Sequence, residues 1–414
     1  MKCKVNLILS IKLSFLLVFN KVFCVQAHDM NPELLPPMLD SDDISYFSST
    51  YDIESLHWAL SNVFERSERN PYPTANLRIN PLPQAIISKG GGSTYTTAYK
   101  IKQDLEQANY LIQYSLQMDD QMKQHYKDVV IPTLEKILRK IPSLDELHRT
   151  GGLYGFRQTD YESLGIHNIY NKAFHNPEYS YESNNILSET FQKNKYDIQK
   201  QWFESKNPGI IVVDDLLSPT TLSTIQTLLL ESTVWYQTKM PKKFGGYVGA
   251  YIDDGLHHKI LLALAFELHK ALPDIMTGHD LQYLWAYKYD SEYTGINTHA
   301  DQAAVNVNIW LTPDEANLDP NSGGLVIYTT KPPPDWDFHS FNADTERVEK
   351  DILEPTNYAN VTVPYKTNRA VIFDSALFHH TDSFSFKSGY KNRRINLTIL
   401  YGEMQRQCRN NASC

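Results

Sequence analysis

The stretch HADQAAVNVNIW, residues 299–310, decides the fold, and it divides into two unlike halves. In Val305-Asn306-Val307-Asn308-Ile309-Trp310-Leu311 every odd position is aliphatic, while the even positions are Asn306, Asn308 and Trp310. Side chains alternate across a strand, so one face of this segment is dry and the other polar. Just upstream, His299 and Asp301 flank Ala300. In extended chain both point the same way, so an H-x-D triplet can aim an imidazole and a carboxylate at one metal ion while Ala300 points away.

The same split recurs further along. In Arg393-Arg394-Ile395-Asn396-Leu397-Thr398-Ile399, Ile395, Leu397 and Ile399 share one side, and Arg394, Asn396 and Thr398 share the other. A solvated open sheet produces such alternation in a single strand. Two such strands flanking a set of metal-ligating side chains imply instead a polar-lined barrel interior. Between them, Gly323-Gly324 precedes Leu325-Val326-Ile327-Tyr328, and Asn368 to Asp374 leads into Ser375-Ala376-Leu377-Phe378-His379; each reads as turn, strand, turn. His379 adds a second imidazole. Two imidazoles and a carboxylate on one face of iron(II) leave three positions open for a bidentate cosubstrate and dioxygen.

The blocks HADQAAVNVNIWLTPDEANLDPNSGGLVIY and NRAVIFDSALFHHTDSF…NRRINLTILYG resemble the iron(II)/2-oxoglutarate-dependent dioxygenases, in a branch with an H-x-D…H…R-R-I-N pattern. The resemblance covers about the last half of the chain, a plausible size for one domain. It implies an α+β protein built on a double-stranded β-helix, or jelly-roll, barrel with flanking helices and a helical N-terminal region. It implies His299, Asp301 and His379 as iron ligands and Arg394 as the partner of the distal carboxylate of 2-oxoglutarate, with Thr398, Asn308 and Tyr289 as further contacts to that cosubstrate. Tyr287 reads as a core tyrosine. Dioxygen is the other reactant implied, ascorbate a possible auxiliary, and succinate and carbon dioxide the products. Because Asp301 is a carboxylate and not the small residue of related halogenases, hydroxylation or another oxidation is favoured over halogenation.

Two choices remain between neighbours. His379 and His380 point to opposite sides of extended chain, so only one can be a ligand, and the resemblance favours His379. Parity favours Arg394 over Arg393, which shares its face with Ile395 and Leu397. A guanidinium binds a carboxylate through two parallel hydrogen bonds. The alternative for Arg394 is a structural ion pair with a carboxylate of the protein itself.

Composition fits a globular enzyme. The chain has 414 residues, 42% hydrophobic and 21% charged, with 26 tyrosines and a net charge of −9. That acidic balance argues against general nucleic-acid binding, which relies on a basic surface. Residues 1–27 read as a signal peptide: Lys2 and Lys4 precede a mostly apolar stretch from Val5 to Phe23, and Val25-Gln26-Ala27 offers a cleavage site. Lys12, Asn20 and Lys21 interrupt the stretch and weaken the alternative, an uncleaved membrane anchor. Cleavage leaves only Cys408 and Cys414, a pair able to close a small disulfide loop in the secretory pathway. Asn360 and Asn411 sit in glycosylation patterns; Asn396 does too, but inside the expected barrel.

The expected organisation is the signal peptide, a mainly helical region over 28–206, the barrel over 207–403 and a polar tail over 404–414. Helix-like spacing covers 52–69 and 98–141, with a Pro/Gly-rich connection over 71–92 whose glycines lack the Gly-Lys-Ser/Thr of a phosphate loop. Further helices are expected over 181–205, from Pro219 behind Ser218 to about Glu231, and over 256–271. Lys331 to Asn360 is longer than a connection needs, so it is expected to cover the site and select the substrate, a polypeptide or a small molecule. The rival readings are a catalytically silent barrel acting as a lumenal binding module and a cupin-type enzyme with another metal and no keto acid.

Overall fold

The computed structural model describes residues 95–404 apart from 148–151, 157–159, 161–162, 172–173, 178, 180–184, 240, 242–245, 253–254, 291–292, 294, 334–335, 337–341 and 343–344. The signal-like stretch, the helix expected over 52–69, the connection over 71–92, and Cys408, Asn411 and Cys414 lie outside the described residues.

The helical stretch expected over 98–141 is interrupted twice. Helix α1 (Ala98–Tyr114) starts where the Thr97 side chain accepts from the Lys100 amide at 3.0 Å. A second helix, Asp120–His125, runs through a π-type turn, Tyr126–Val130, into α2 (Ile131–Lys140). Pro132 lies in the first turn of α2 and offers no amide hydrogen, so the i to i−4 ladder widens just ahead of it. Ile101, Leu111, Tyr126, Leu134 and Ile137 close a small core of this region together with Phe156 and Ile169. A two-residue ribbon, β1 (Tyr95–Thr96) with β2 (Tyr154–Gly155), borders it.

Capping explains the remaining helix starts. Helix α3 (Glu189–Glu204) begins after Ser188, whose hydroxyl accepts from the Phe191 amide, later than the 181 expected. Helix α4 (Pro219–Glu231) begins as expected behind Ser218, with proline at its first position. Helix α5 (Lys259–Ala271) begins three residues later than expected because the His258 ring serves as its cap.

Two antiparallel sheets carry the second half. The larger has the order β3 (Ile210–Val213), β10 (Ala370–Asp374), β7 (Val305–Trp310), β12 (Arg394–Tyr401), β6 (Leu281–Tyr289), β5 (Tyr247–Tyr251) and β4 (Gln237–Thr238). The smaller is β11 (His379–Thr381), β8 (Leu325–Tyr328) and β9 (Asn360–Val363). From β7 to β8, and at each step from β9 to β12, the chain passes from one sheet to the other.

The alternation in β7 and β12 sorts the two faces of the larger sheet. Val305, Val307, Ile309, Ile395, Leu397 and Ile399 join Leu228, Leu229, Leu261 and Leu264 in one core beneath helices α4 and α5. The opposite face meets the smaller sheet through Trp310, Val371 and Phe373 against Leu325, Ile327 and Val363. Helix α1 docks on the helix-covered side: Tyr99 donates to the Lys288 carbonyl at 2.6 Å, and the buried Lys288 ammonium donates to Gln103 at 3.0 Å. Among the described residues no helix is long and apolar enough to cross a membrane.

Candidate metal centre and anion pocket

His299 and His379 meet through their backbones. His299 N–H donates to the His379 carbonyl at 3.0 Å, and His379 N–H donates back to the His299 carbonyl at 2.8 Å. This isolated bridge continues the smaller sheet beyond β11 and places the two rings 4.2 Å apart, centroid to centroid. Two residues on from His299, Asp301 turns its carboxylate to both rings, with His299 Nε2 at 3.8 Å and His379 Nε2 at 3.5 Å. His299, Asp301 and His379 form the group among the described residues whose ligand atoms gather tightly enough to hold a metal ion.

The surroundings prepare those atoms. His299 Nδ1 lies 2.8 Å from the Asn297 carbonyl, and His379 Nδ1 lies 2.9 Å from the Leu377 carbonyl. A carbonyl only accepts, so each Nδ1 carries the hydrogen and each Nε2 presents a lone pair in the neutral ring. Burial, helped by the neighbouring His379, pushes the His299 pKa down to about 4, so its ring is neutral at physiological pH. Burial alone would raise the Asp301 pKa, but once the imidazoles are protonated the His379 hydrogen bond and the charge of both rings, together with the Asn306 amide, outweigh it and hold the carboxyl below the usual range. Asn306 Nδ2 donates to Asp301 Oδ2 at 2.9 Å, holding that oxygen toward His379 while Oδ1 faces His299. The ring of Phe373 closes on His379 at 4.9 Å.

His380 takes the opposite side, with its ring 5.5 Å from that of Tyr328. It is not part of the triad.

A second polar centre stands on the polar face of β12. Arg394 is 2% exposed and forms no ion pair among the described residues, Asp382 acting on it only through its charge; its guanidinium donates to the carbonyls of Gly323 at 2.7 Å and Gly324 at 3.1 Å and to Asn396 Oδ1 at 3.3 Å. The two glycines are needed there. Gly323 has φ +85°, and a Cβ on Gly324 would fall 1.9 Å from the Val363 carbonyl oxygen. Tyr289, which pairs with Arg394 across β6 and β12, holds its ring 4.9 Å from the guanidinium carbon. Its hydroxyl bonds with Thr381 and Arg394, and burial keeps it protonated by raising its pKa. Thr381 stands two residues beyond His379 in β11, so the Tyr289 hydroxyl links the strand that carries His379 to the Arg394 guanidinium.

The polar face between these centres is continuous. Asn396 Nδ2 and Asn308 Nδ2 both donate to Thr398 Oγ1 at 3.1 Å, which leaves the Thr398 hydroxyl hydrogen free to donate. The side-chain oxygens of Asn306 and Asn308 and the indole nitrogens of Trp285 and Trp310 are buried without a partner. Buried polar atoms in folded proteins are normally satisfied, so these expect a polar ligand or water. Tyr247, Tyr251, Trp285, Tyr287 and Tyr289 line the adjoining wall from β5 and β6, with Ala303 and Leu400 completing the cluster. Tyr287 is buried in this core cluster, as expected, its hydroxyl 2.8 Å from that of Tyr251.

The residues expected from sequence therefore converge: His299, Asp301 and His379 at one end, Arg394 and Tyr289 at the other, Asn308 and Thr398 between them. Sequence reading missed three participants. Asn306 shares the face of Asn308 and was open to the same parity argument, whereas Thr381 and Asn342 carry no local signal. Asn342 belongs to the long segment expected to cover the site. The described part of that segment packs behind the metal-ligating turn, where Val348 of helix α6 (Thr345–Val348) and Leu353 bury the Ala300 side chain together with Val326, Tyr328 and Phe378.

No family model and no curated protein matches the chain. Among solved structures, a prolyl-4-hydroxylase from Pseudomonas putida aligns with 51% of this chain and 100% of its own, at 15% identity and a TM-score of 0.34. A prolyl 4-hydroxylase from Phytophthora capsici aligns with 55% of this chain and 67% of its own, at 16% identity and a TM-score of 0.31. HygX from Streptomyces hygroscopicus, solved with nickel, 2-oxoglutarate and hygromycin B, aligns with 49% of this chain and 86% of its own, at 11% identity and a TM-score of 0.32.

Proposed function

We propose that the chain is an iron(II)/2-oxoglutarate-dependent oxygenase in which His299, Asp301 and His379 hold the metal and Arg394 holds the far carboxylate of the keto acid. One observation carries the reading: a buried guanidinium that forms no ion pair among the described residues is linked through Tyr289 and Thr381 to the strand of His379, one of three side chains able to hold a cation. Burying a charge without an ion pair is costly, and a bound dianion relieves that cost at one end while its other end reaches the metal.

The residues present fit both groups. Oriented Nε2 lone pairs and a carboxylate suit a divalent metal that keeps open positions, and the leftover Thr398 donor suits an acceptor oxygen. When bound, iron(II) supplies the reduction of dioxygen, with 2-oxoglutarate as the two-electron reductant that leaves as succinate and carbon dioxide. The chain's own work is positional. Asn306 orients Asp301, the carbonyls of Asn297 and Leu377 fix the histidine tautomers, and Arg394 with Tyr289 sets the direction of the keto acid. The aromatic wall of Tyr247, Tyr251 and Trp285 limits water beside the metal. The two sheets and the repeated exchange of chain between them support the double-stranded β-helix reading, and the substrate is a polypeptide or small molecule oxidised at a C–H bond.

Turnover tests this. The purified chain with iron(II) should convert 2-oxoglutarate slowly to succinate even without its substrate, and His299→Ala or Asp301→Ala should abolish the conversion. Undiminished conversion in both variants would refute the assignment.

A further inference from the structure

The metal-ligating turn is an edge with one outside partner. His299 and Asp301 use their backbone groups toward β11 and the turn before it: His299 pairs with His379, and Asp301 N–H donates to the Ser375 carbonyl at 3.1 Å. In extended chain the intervening residue directs its peptide groups the other way. There the Asn342 side chain meets both. Ala300 N–H donates to Asn342 Oδ1 at 3.0 Å, and Asn342 Nδ2 donates to the Ala300 carbonyl at 2.9 Å. One amide side chain thus substitutes for a neighbouring strand at the residue whose conformation sets the angle between His299 and Asp301.

The residue is anchored from its own side. Helix α6 follows three residues later, Val348 and Leu353 pack on Ala300, and the Arg347 guanidinium sits 3.9 Å from the centre of the Trp336 ring. The grip on Ala300 therefore comes from a braced segment.

We propose that Asn342 is a positioning residue for the metal site: it holds the Ala300 peptide groups so that His299 and Asp301 converge, and metal affinity depends on this contact between residues 42 apart. The inference rests on the metal reading above and extends it to a residue outside the ligand set. Groups that orient metal ligands contribute about 10- to 100-fold in affinity.

Cobalt(II) titration of the full chain, followed by calorimetry and by its visible ligand-field bands, tests this without turnover. Asn342→Ala should weaken cobalt binding by roughly 10- to 100-fold and shift the bands. Asn342→Asp, which retains only the acceptor for Ala300 N–H, should fall between. Ile137→Ala, in the separate core of the N-terminal helices, should lower thermal stability and leave the bands in place. Wild-type affinity and bands in both Asn342 variants would overturn the inference while leaving the metal reading intact. Failure of the wild-type chain to bind cobalt would overturn both.

Discussion

Arg393 and Arg394 are adjacent in sequence and face opposite electrostatic worlds. Arg393 donates to Glu106 of α1 at 2.8 Å and to Asp290 at 2.5 Å, whereas Arg394, on the opposite face of β12, bonds among the described residues with carbonyl and amide oxygens and a tyrosine hydroxyl and lies against the rings of Tyr289, Tyr365 and Phe384. The first ties the N-terminal helices to the sheet. The second, on the reading proposed above, receives the keto acid. Arg393→Gln should therefore lower stability by roughly 2–4 kcal/mol, by breaking a largely buried pair, and leave 2-oxoglutarate affinity unchanged. Arg394→Lys should do the reverse, weakening 2-oxoglutarate about tenfold or more through loss of the planar fork while sparing the metal. Calorimetric titration and thermal melts of both variants separate the roles; equal 2-oxoglutarate affinity in wild type and the Arg394 variant would remove Arg394 from the pocket.

The two adjacent histidines separate as cleanly. His379 turns Nε2 to Asp301, and His380 turns its ring to Tyr328. His379→Ala should abolish iron(II) binding, and His380→Ala should retain it within a few-fold. Loss of binding in the His380 variant alone would mean that the wrong imidazole has been assigned.

Gly324 offers a test of the anion pocket that leaves every charged group in place. A methyl group there meets the Val363 carbonyl and the Trp310 ring, so β8 has to shift and carry its two carbonyls away from Arg394. Gly324→Ala should weaken 2-oxoglutarate binding by about an order of magnitude and lower stability by a few kcal/mol, as overpacking does. If 2-oxoglutarate binds with unchanged affinity, the Gly323-Gly324 carbonyls do not position the guanidinium.

Stability should fall with acid before the carboxylates titrate. Burial, with the charges of His257 and Lys259, pushes the His258 pKa from 6.5 down to about 4, and the neutral ring caps α5 by accepting from the Ile260 amide. Between those values the unfolded chain binds a proton that the folded chain refuses, so the contribution is full above pH 6.5 and is lost as pH falls toward 4. His299, lowered for the same first reason, adds to the slope in metal-free protein. His258→Asn keeps a cap without a titrating group, so it should flatten the slope of stability against pH over that window by an amount worth on the order of 1 kcal/mol. An unchanged slope would exclude the cap as its source.

What was legible in the sequence follows from one-sided burial. β7 and β12 each have a dry face against helices and a polar face against the cavity, so period-two alternation showed in the sequence and assigned Arg394, Asn308 and Thr398 to the inside. The ends of α3, α4 and α5 follow from Ser188, Ser218 and His258 as caps, though only Ser218 with Pro219 was plain beforehand. β5 escaped notice because all five of its residues are buried, so no alternation remains to read. The Arg393–Glu106 pair spans 287 residues and the Asn342 grip spans 42; neither leaves a local pattern. Trp310 sits on the polar side of its strand, yet its ring stacks on Tyr365 at 5.5 Å in the core between the sheets. Parity identified its face, and only the packing revealed its neighbours.

The central claim is that one cavity binds a metal at the triad and a keto acid dianion between that metal and Arg394. Anaerobic titration of the full chain with iron(II), then 2-oxoglutarate, tests it most directly through the metal-to-ligand charge-transfer band that appears when a keto acid chelates iron(II). The account predicts a saturable band in wild type, none in Asp301→Ala, and a band in Arg394→Lys only at much higher 2-oxoglutarate concentration. Iron(II) binding with no band at any 2-oxoglutarate concentration would contradict it and leave a metal site of another kind.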